Sequence, residues 1–64
     1  MLRGLRYQRM LAGLTQEELA DKAGISRQTV ILLEAGRQEP RPSSIKKLAR
    51  ALHVKPAELM DAAE

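Results

Sequence analysis

Apolar positions recur along the chain at helical spacing and break at glycine and proline. Leu2, Leu5, Arg9 and Ala12 fall on one face at 100° per residue, which predicts a helix over about 2–12 that stops at Gly13. An arginine in the middle of that face demands a carboxylate partner, because an unpaired buried charge is costly. Tyr7 and Leu11 form a second pair on the same helix, away from its main stripe, and are expected to pack against the last helix.

The next two helices announce their own starts. Thr15 followed by Glu18 at N3 makes a reciprocal capping box, with Leu14 and Leu19 placed for a hydrophobic staple. Leu19, Ala20 and Ala23 then supply the buried stripe, and Gly24 fits a left-handed stop. Ser26 caps a third helix, Ile25 and Val30 repeat the staple, and Gly36 ends the helix after Ala35. The polar, proline-rich stretch 37–42 is a loop. Ser43 is expected to cap a fourth helix, whose Ile45, Leu48, Ala49 and Leu52 follow i, i+3, i+4, i+7, with Lys46, Lys47 and Arg50 on its other side. Val54 and Leu59 bracket Pro56 at N1 and Glu58 at N3 of a fifth helix, running to about residue 63.

Composition agrees with helices alone. Ten Leu, nine Ala and three Met stand against three Ile, two Val and one aromatic residue, Tyr7. Straight-chain and γ-branched residues suit helices, whereas strands favour β-branched and aromatic ones. The fold class is therefore all-α: a compact five-helix domain, with 1–64 as a single unit because a chain of this length builds one small core. No apolar run approaches the length of a membrane span, and no signal peptide is visible. Without cysteine there is no disulfide or thiolate metal site, and with a single histidine a metal site is not expected.

Charge narrows the partner. Residues 1–56 hold all eleven Lys and Arg against five acids, a balance of +6; residues 57–64 hold Glu58, Asp61 and Glu64 with no base, a balance of −3. A basic body suits a polyanion, whether nucleic acid or an acidic membrane surface. The membrane alternative needs one basic helix with a broad apolar face, but the bases here are spread over several elements. Enzyme chemistry has no foothold. There is no phosphate-binding glycine loop and no nucleophile–histidine pair, and the adjacent Glu17 and Glu18 point to different sides of their helix.

The informative spacing lies in residues 16–35. Two short capped helices joined through Gly24 and Ile25 must cross steeply, with small Ala20 at the crossing and Val30 and Leu33 filling the wedge. That is the geometry which presents a second helix to a DNA major groove. The string LTQEELADKAGISRQTVILLEAGR, followed by PSSIKKLARALHV, resembles the Cro/phage-repressor (XRE-like) helix-turn-helix family, and the likeness covers roughly residues 5–60. The resemblance implies a lambda-repressor-like fold and a cytoplasmic, sequence-specific transcriptional regulator. It further implies a repressor that binds double-stranded DNA as a homodimer on a palindromic operator, without a cofactor.

Residue by residue, the resemblance assigns Gln16 to a phosphate contact that braces the third helix. It assigns Arg27, Gln28, Thr29 and Leu32 to the groove, and Glu34 to a structural ion pair with Arg9. Gln can bridge adenine N6 and N7, and Arg can bridge guanine N7 and O6. Arg37, Gln38, Arg41 and Ser43 stand where cations and helix amides meet phosphates. Leu32 and Ile31 depart from the family, which is polar there. They invite thymine methyls or a protein partner, as in a toxin-neutralising antitoxin or an adaptor, and for Ile31 burial against neighbouring helices is expected. His53 replaces the family's frequent turn glycine, and Lys55 its Ser or Asp cap. Leu59 and Met60 point in adjacent directions, so one can fill the core while the other joins a dimer interface together with the preceding turn.

Overall fold

The structure, a computed structural model, describes residues 2–60. Five helices follow one another: α1 (Leu5–Leu11), α2 (Gln16–Ala23), α3 (Arg27–Glu34), α4 (Pro42–Leu52) and α5 (Pro56–Met60). The described residues contain no strand.

Three boundaries differ from the sequence reading. α1 begins at Leu5, not Leu2: Gly4 is its N-cap without a side-chain cap, and the Leu5 amide donates to the Leu2 carbonyl across a turn (3.2 Å). The Gly4 N–H instead donates to the carbonyl of Leu59 in α5 (3.0 Å), and Leu2 is buried from a turn rather than from a helix. Ala12, expected on the buried face, is the exposed C-cap. α4 starts at Pro42 with Arg41 as N-cap, so Ser43 is an exposed first-turn residue and caps nothing. Proline at N1 fixes the helical φ and forgoes an amide that had no partner anyway, so it outcompetes the serine one residue later. The expected continuation of α5 to residue 63 lies outside the described residues.

Four helix ends close the same way. The amides of Leu14, Ile25, Arg37 and Val54 each donate to the carbonyl five residues back, at 2.9–3.2 Å, around a left-handed residue. That residue is Gly13, Gly24 and Gly36 at the first three ends and His53, with φ 57°, at the fourth. The core is one cluster: Leu2 and Leu5, then Leu19, Ala20 and Ala23, then Val30 and Leu33, then Leu48, Ala49, Leu52 and Leu59. Leu14, Ile25, Ile45 and Val54 pack at its edge. No helix of the described residues is long and apolar enough to cross a membrane.

Tyr7 and Leu11 do not pack against α5. They are 53% and 64% exposed, because α1 is only two turns long and meets α5 through its Leu5 side and the Gly4 amide.

Candidate nucleic-acid interface

The α2–turn–α3 unit is fixed by caps at both starts. Thr15 Oγ1 accepts from the Glu18 amide (3.0 Å) while Glu18 Oε1 accepts from the Thr15 amide (2.8 Å). Ser26 Oγ accepts from the Thr29 amide (3.1 Å). Between them Gly24 adopts φ +71°, which turns the chain within two residues. Val30 and Leu33 plug α3 into the core, and the opposite face leaves Arg27 and Gln28 exposed.

A side-chain network holds the far end of α3. Arg9 Nε donates to Glu34 Oε2 (2.6 Å), Arg9 Nη2 to Glu34 Oε1 (3.1 Å) and Arg9 Nη1 to the Leu14 carbonyl (2.8 Å). Gln16 Nε2 donates to the same Glu34 Oε1 (3.1 Å). The arginine side chain is 14% exposed and the carboxylate 6%, so the pair is largely withdrawn from water. Gln16 thereby ties the start of α2 to the end of α3. It keeps a second amide N–H and its carbonyl for an outside partner.

The other candidate residues separate by position. Thr29 is half-buried and its hydroxyl lies 2.7 Å from Ser26 Oγ, so it serves the cap of α3. Leu32 and Ile31 are each half-buried, and Ile31 lines a cleft with Arg6, Arg9, Gln16, Glu34 and Ala35. A second recess joins Gln16 to Thr15, Glu17 and Arg27. Gln16 therefore sits where the two depressions meet, with an α3 residue on either side. Arg37, Arg41 and Ser43 are exposed, and Gln38 is half-buried in the α3–α4 loop. Leu59 is wholly inside the core and is not available to a dimer; of the two candidates only Met60, 43% exposed, is presented. α5 contributes Leu59 as its one buried residue, which turns the adjacent Met60 outward.

Arg6 belongs to the same cleft, a residue to which the sequence does not point. It is exposed, enters the cleft from α1, and lies beside Gln16 and Ala35. Its only sequence signal is an i, i+3 spacing to Arg9, which says nothing about reaching across to α2 and α3. Among the described residues no three His, Cys, Asp or Glu side chains gather where a metal could sit.

Two capped helices joined by a tight left-handed turn, the second of them exposing Arg27 and Gln28, define a helix-turn-helix DNA-binding domain. Residues 5–59 match the helix-turn-helix family, and the chain belongs to that family in its Cro/phage-repressor (XRE-like) form. Its members are DNA-binding transcription regulators rather than enzymes. An uncharacterized HTH-type transcriptional regulator of Methanothermobacter thermautotrophicus is 50% identical over 48 residues, covering 75% of this chain and 70% of that protein. Another, from Methanocaldococcus jannaschii, is 47% identical over 51 residues, covering 80% and 77%. Among solved structures, the restriction-modification controller protein C.AhdI from Aeromonas hydrophila superimposes with a TM-score of 0.85 at 40% identity, covering 89% of this chain and 86% of that one. The hypothetical transcription factor NHTF from Neisseria gives 0.84 at 36% identity, with 92% and 72% covered.

Proposed function

We propose that the 64 residues form a single cytoplasmic domain that represses transcription by binding, as a homodimer, to a palindromic operator. The observation that carries this reading is the Arg9–Glu34–Gln16 network, which ties α1 and the start of α2 to the end of α3 while Arg27 and Gln28 stay exposed, as do Arg6, Arg37 and Arg41. Arg27 and Gln28 read base edges, with the half-buried Leu32 available to a thymine methyl. Thr29 contributes through the cap. Arg6, Gln16, Arg37, Gln38, Arg41 and Ser43 hold the phosphates and set the register. The likeness to a restriction-modification controller supports a regulator of this size, since the chain spans 86% of that protein.

One such domain reads too few base pairs for operator specificity at cellular salt. Two copies on a two-fold axis place their α3 helices about 34 Å apart, one turn of DNA. Met60 and the turn before α5 form the contact. Repression follows from occupancy alone, because an operator overlapping a promoter excludes polymerase when filled. Selection of bound sequences from random duplex DNA tests the reading. A palindrome with half-sites one turn apart, footprinted on both halves and silencing a reporter, is expected. A single asymmetric site, or no enrichment, overturns it.

A further inference from the structure

Lys22, Lys47, Arg50 and His53 line one open cleft together with the buried Ala23 and the half-buried Ala51. α2 and α4, which pack against each other, supply all of these but His53, the C-cap of α4. The cleft shares no residue with α3 or with the side chains assigned to DNA above. Gln16 opens α2 and Arg41 caps α4, whereas Lys22 and Arg50 stand in the last turns of the same helices, about 9 and 14 Å further along. Of the eleven Lys and Arg, one is held in the Arg9–Glu34 pair and four are assigned to the operator; three of the remaining six meet in this cleft.

Folding does not account for all of this charge. Lys22 and Arg50 complement the negative ends of their helices, an effect confined to the last turn. Lys47 lies before that turn and faces Arg50 at i, i+3, where like charges oppose each other. Among the described residues none of the three is in a salt bridge, and all are exposed. An anion in the cleft relieves that repulsion. The described lining holds no acid and no large apolar side chain. A protein partner needs an apolar or aromatic anchor at the centre of its contact, where charges are depleted. A phosphate backbone needs only the cations. From Lys47 to His53 the row runs about 9 Å along α4, the axial length of two to three nucleotide steps of one strand. The small side chains of Ala23 and Ala51 leave the strand room to approach.

We propose that this cleft is a second, sequence-independent nucleic-acid site, which holds the phosphate backbone of another duplex while α3 occupies the operator. One molecule then bridges two DNA segments. The inference rests on the operator reading above and uses none of its residues.

A capture assay tests it, with the full chain loaded on an immobilised operator and a labelled random duplex as probe. Two charge-matched variants accompany the parent: Lys47→Gln with Arg50→Gln in the cleft, and Lys46→Gln with Lys55→Gln outside it. The parent is expected to capture the probe. The cleft variant is expected to capture it about tenfold or more weakly, with a salt slope shallower by about two. The outside variant is expected to behave as the parent, and all three to load the operator equally. A loaded parent that captures nothing overturns the second site and leaves the operator reading standing. Undiminished capture by the cleft variant assigns the bridge to α3 of another copy and refutes the site. Equal losses in the two variants make the effect one of overall charge and also refute it. A parent that binds poly-L-glutamate in place of the duplex has a cleft for acidic polypeptide instead. Operator affinity that rises with longer flanks, without capture, means that the cleft meets the same duplex, and refutes bridging. A chain that never loads the operator overturns both readings. All four substituted positions are exposed, and circular dichroism confirms folding.

Discussion

Arg9 and Glu34, 25 residues apart, form a two-pronged ion pair, with Nε to Oε2 at 2.6 Å and Nη2 to Oε1 at 3.1 Å. Its third prong reaches the Leu14 carbonyl at the exit of α1, so one guanidinium joins α1, the approach to α2 and the end of α3. Removing only the acid strands an arginine that is 14% exposed and frees Gln16 from its brace. Glu34→Ala is expected to cost about 2–4 kcal/mol, whereas Arg9→Met with Glu34→Leu costs far less because no charge is left unpaired. Urea denaturation of the three proteins measures it. Equal losses from the single and double changes would show that the pair is not acting as a buried unit.

His53 closes α4 in the left-handed conformation, φ 57° and ψ 42°, where three other ends place glycine. A side chain there carries about 1–2 kcal/mol of strain. His53→Gly relieves it and loses part of the gain to the freer unfolded chain, leaving about 0.5–1 kcal/mol of net stabilisation. Gly24→Ala is the reverse experiment. A methyl at Gly24 meets nothing within 4 Å, so the loss is backbone strain alone, about 1–2 kcal/mol, without a packing clash. Thermal melts separate these outcomes: a raised Tm for His53→Gly and a lowered one for Gly24→Ala.

Legibility followed the range of the forces involved. Thr15 with Glu18, Ser26, and the glycine stops act within one turn, so the sequence shows α2 and α3 almost to the residue. The need for an acid near Arg9 was also readable, because helical periodicity alone puts that charge among leucines. Where two local signals competed, as at Pro42 and Ser43, the stronger backbone constraint decided the start of α4. Tertiary reach is what periodicity lacks. It groups Tyr7 with Leu11 without telling whether anything covers them, and it cannot see Arg6 arriving beside Gln16 and Ala35 from another helix. Leu59 and Met60 differ by 100° around a helix, and only the packed core determines which of the two is inside.

Exposure on α1 has its own test. Leu5 is fully buried and Leu11 is 64% exposed on the same seven-residue helix. Leu5→Ala is expected to cost about 2–4 kcal/mol, a cavity-forming loss. Leu11→Gln is expected to fall within about 0.5 kcal/mol of the parent. A loss at Leu11 comparable to that at Leu5 would mean that the outer face of α1 is covered in solution.

Base contacts and phosphate contacts respond differently to the choice of DNA, which allows Gln28 to be distinguished from Arg6 and Arg41. All three are exposed, on α3, α1 and the N-cap of α4 respectively. A phosphate contact is made on any duplex, and its loss removes about one released counterion from the salt dependence. Arg6→Ala and Arg41→Ala are therefore expected to weaken operator and random DNA alike, each with a salt slope shallower by about one. Gln28→Ala is expected to cost about 1–3 kcal/mol on the operator and little on random DNA, with the slope unchanged, because a bidentate contact to adenine displaces no counterion. Fluorescence anisotropy across a salt series reads affinity and slope together. If Gln28→Ala weakens both DNAs equally, α3 does not read bases through that side chain. If Arg6→Ala leaves the slope where it was, the cleft between α1 and α3 does not meet the backbone of the duplex.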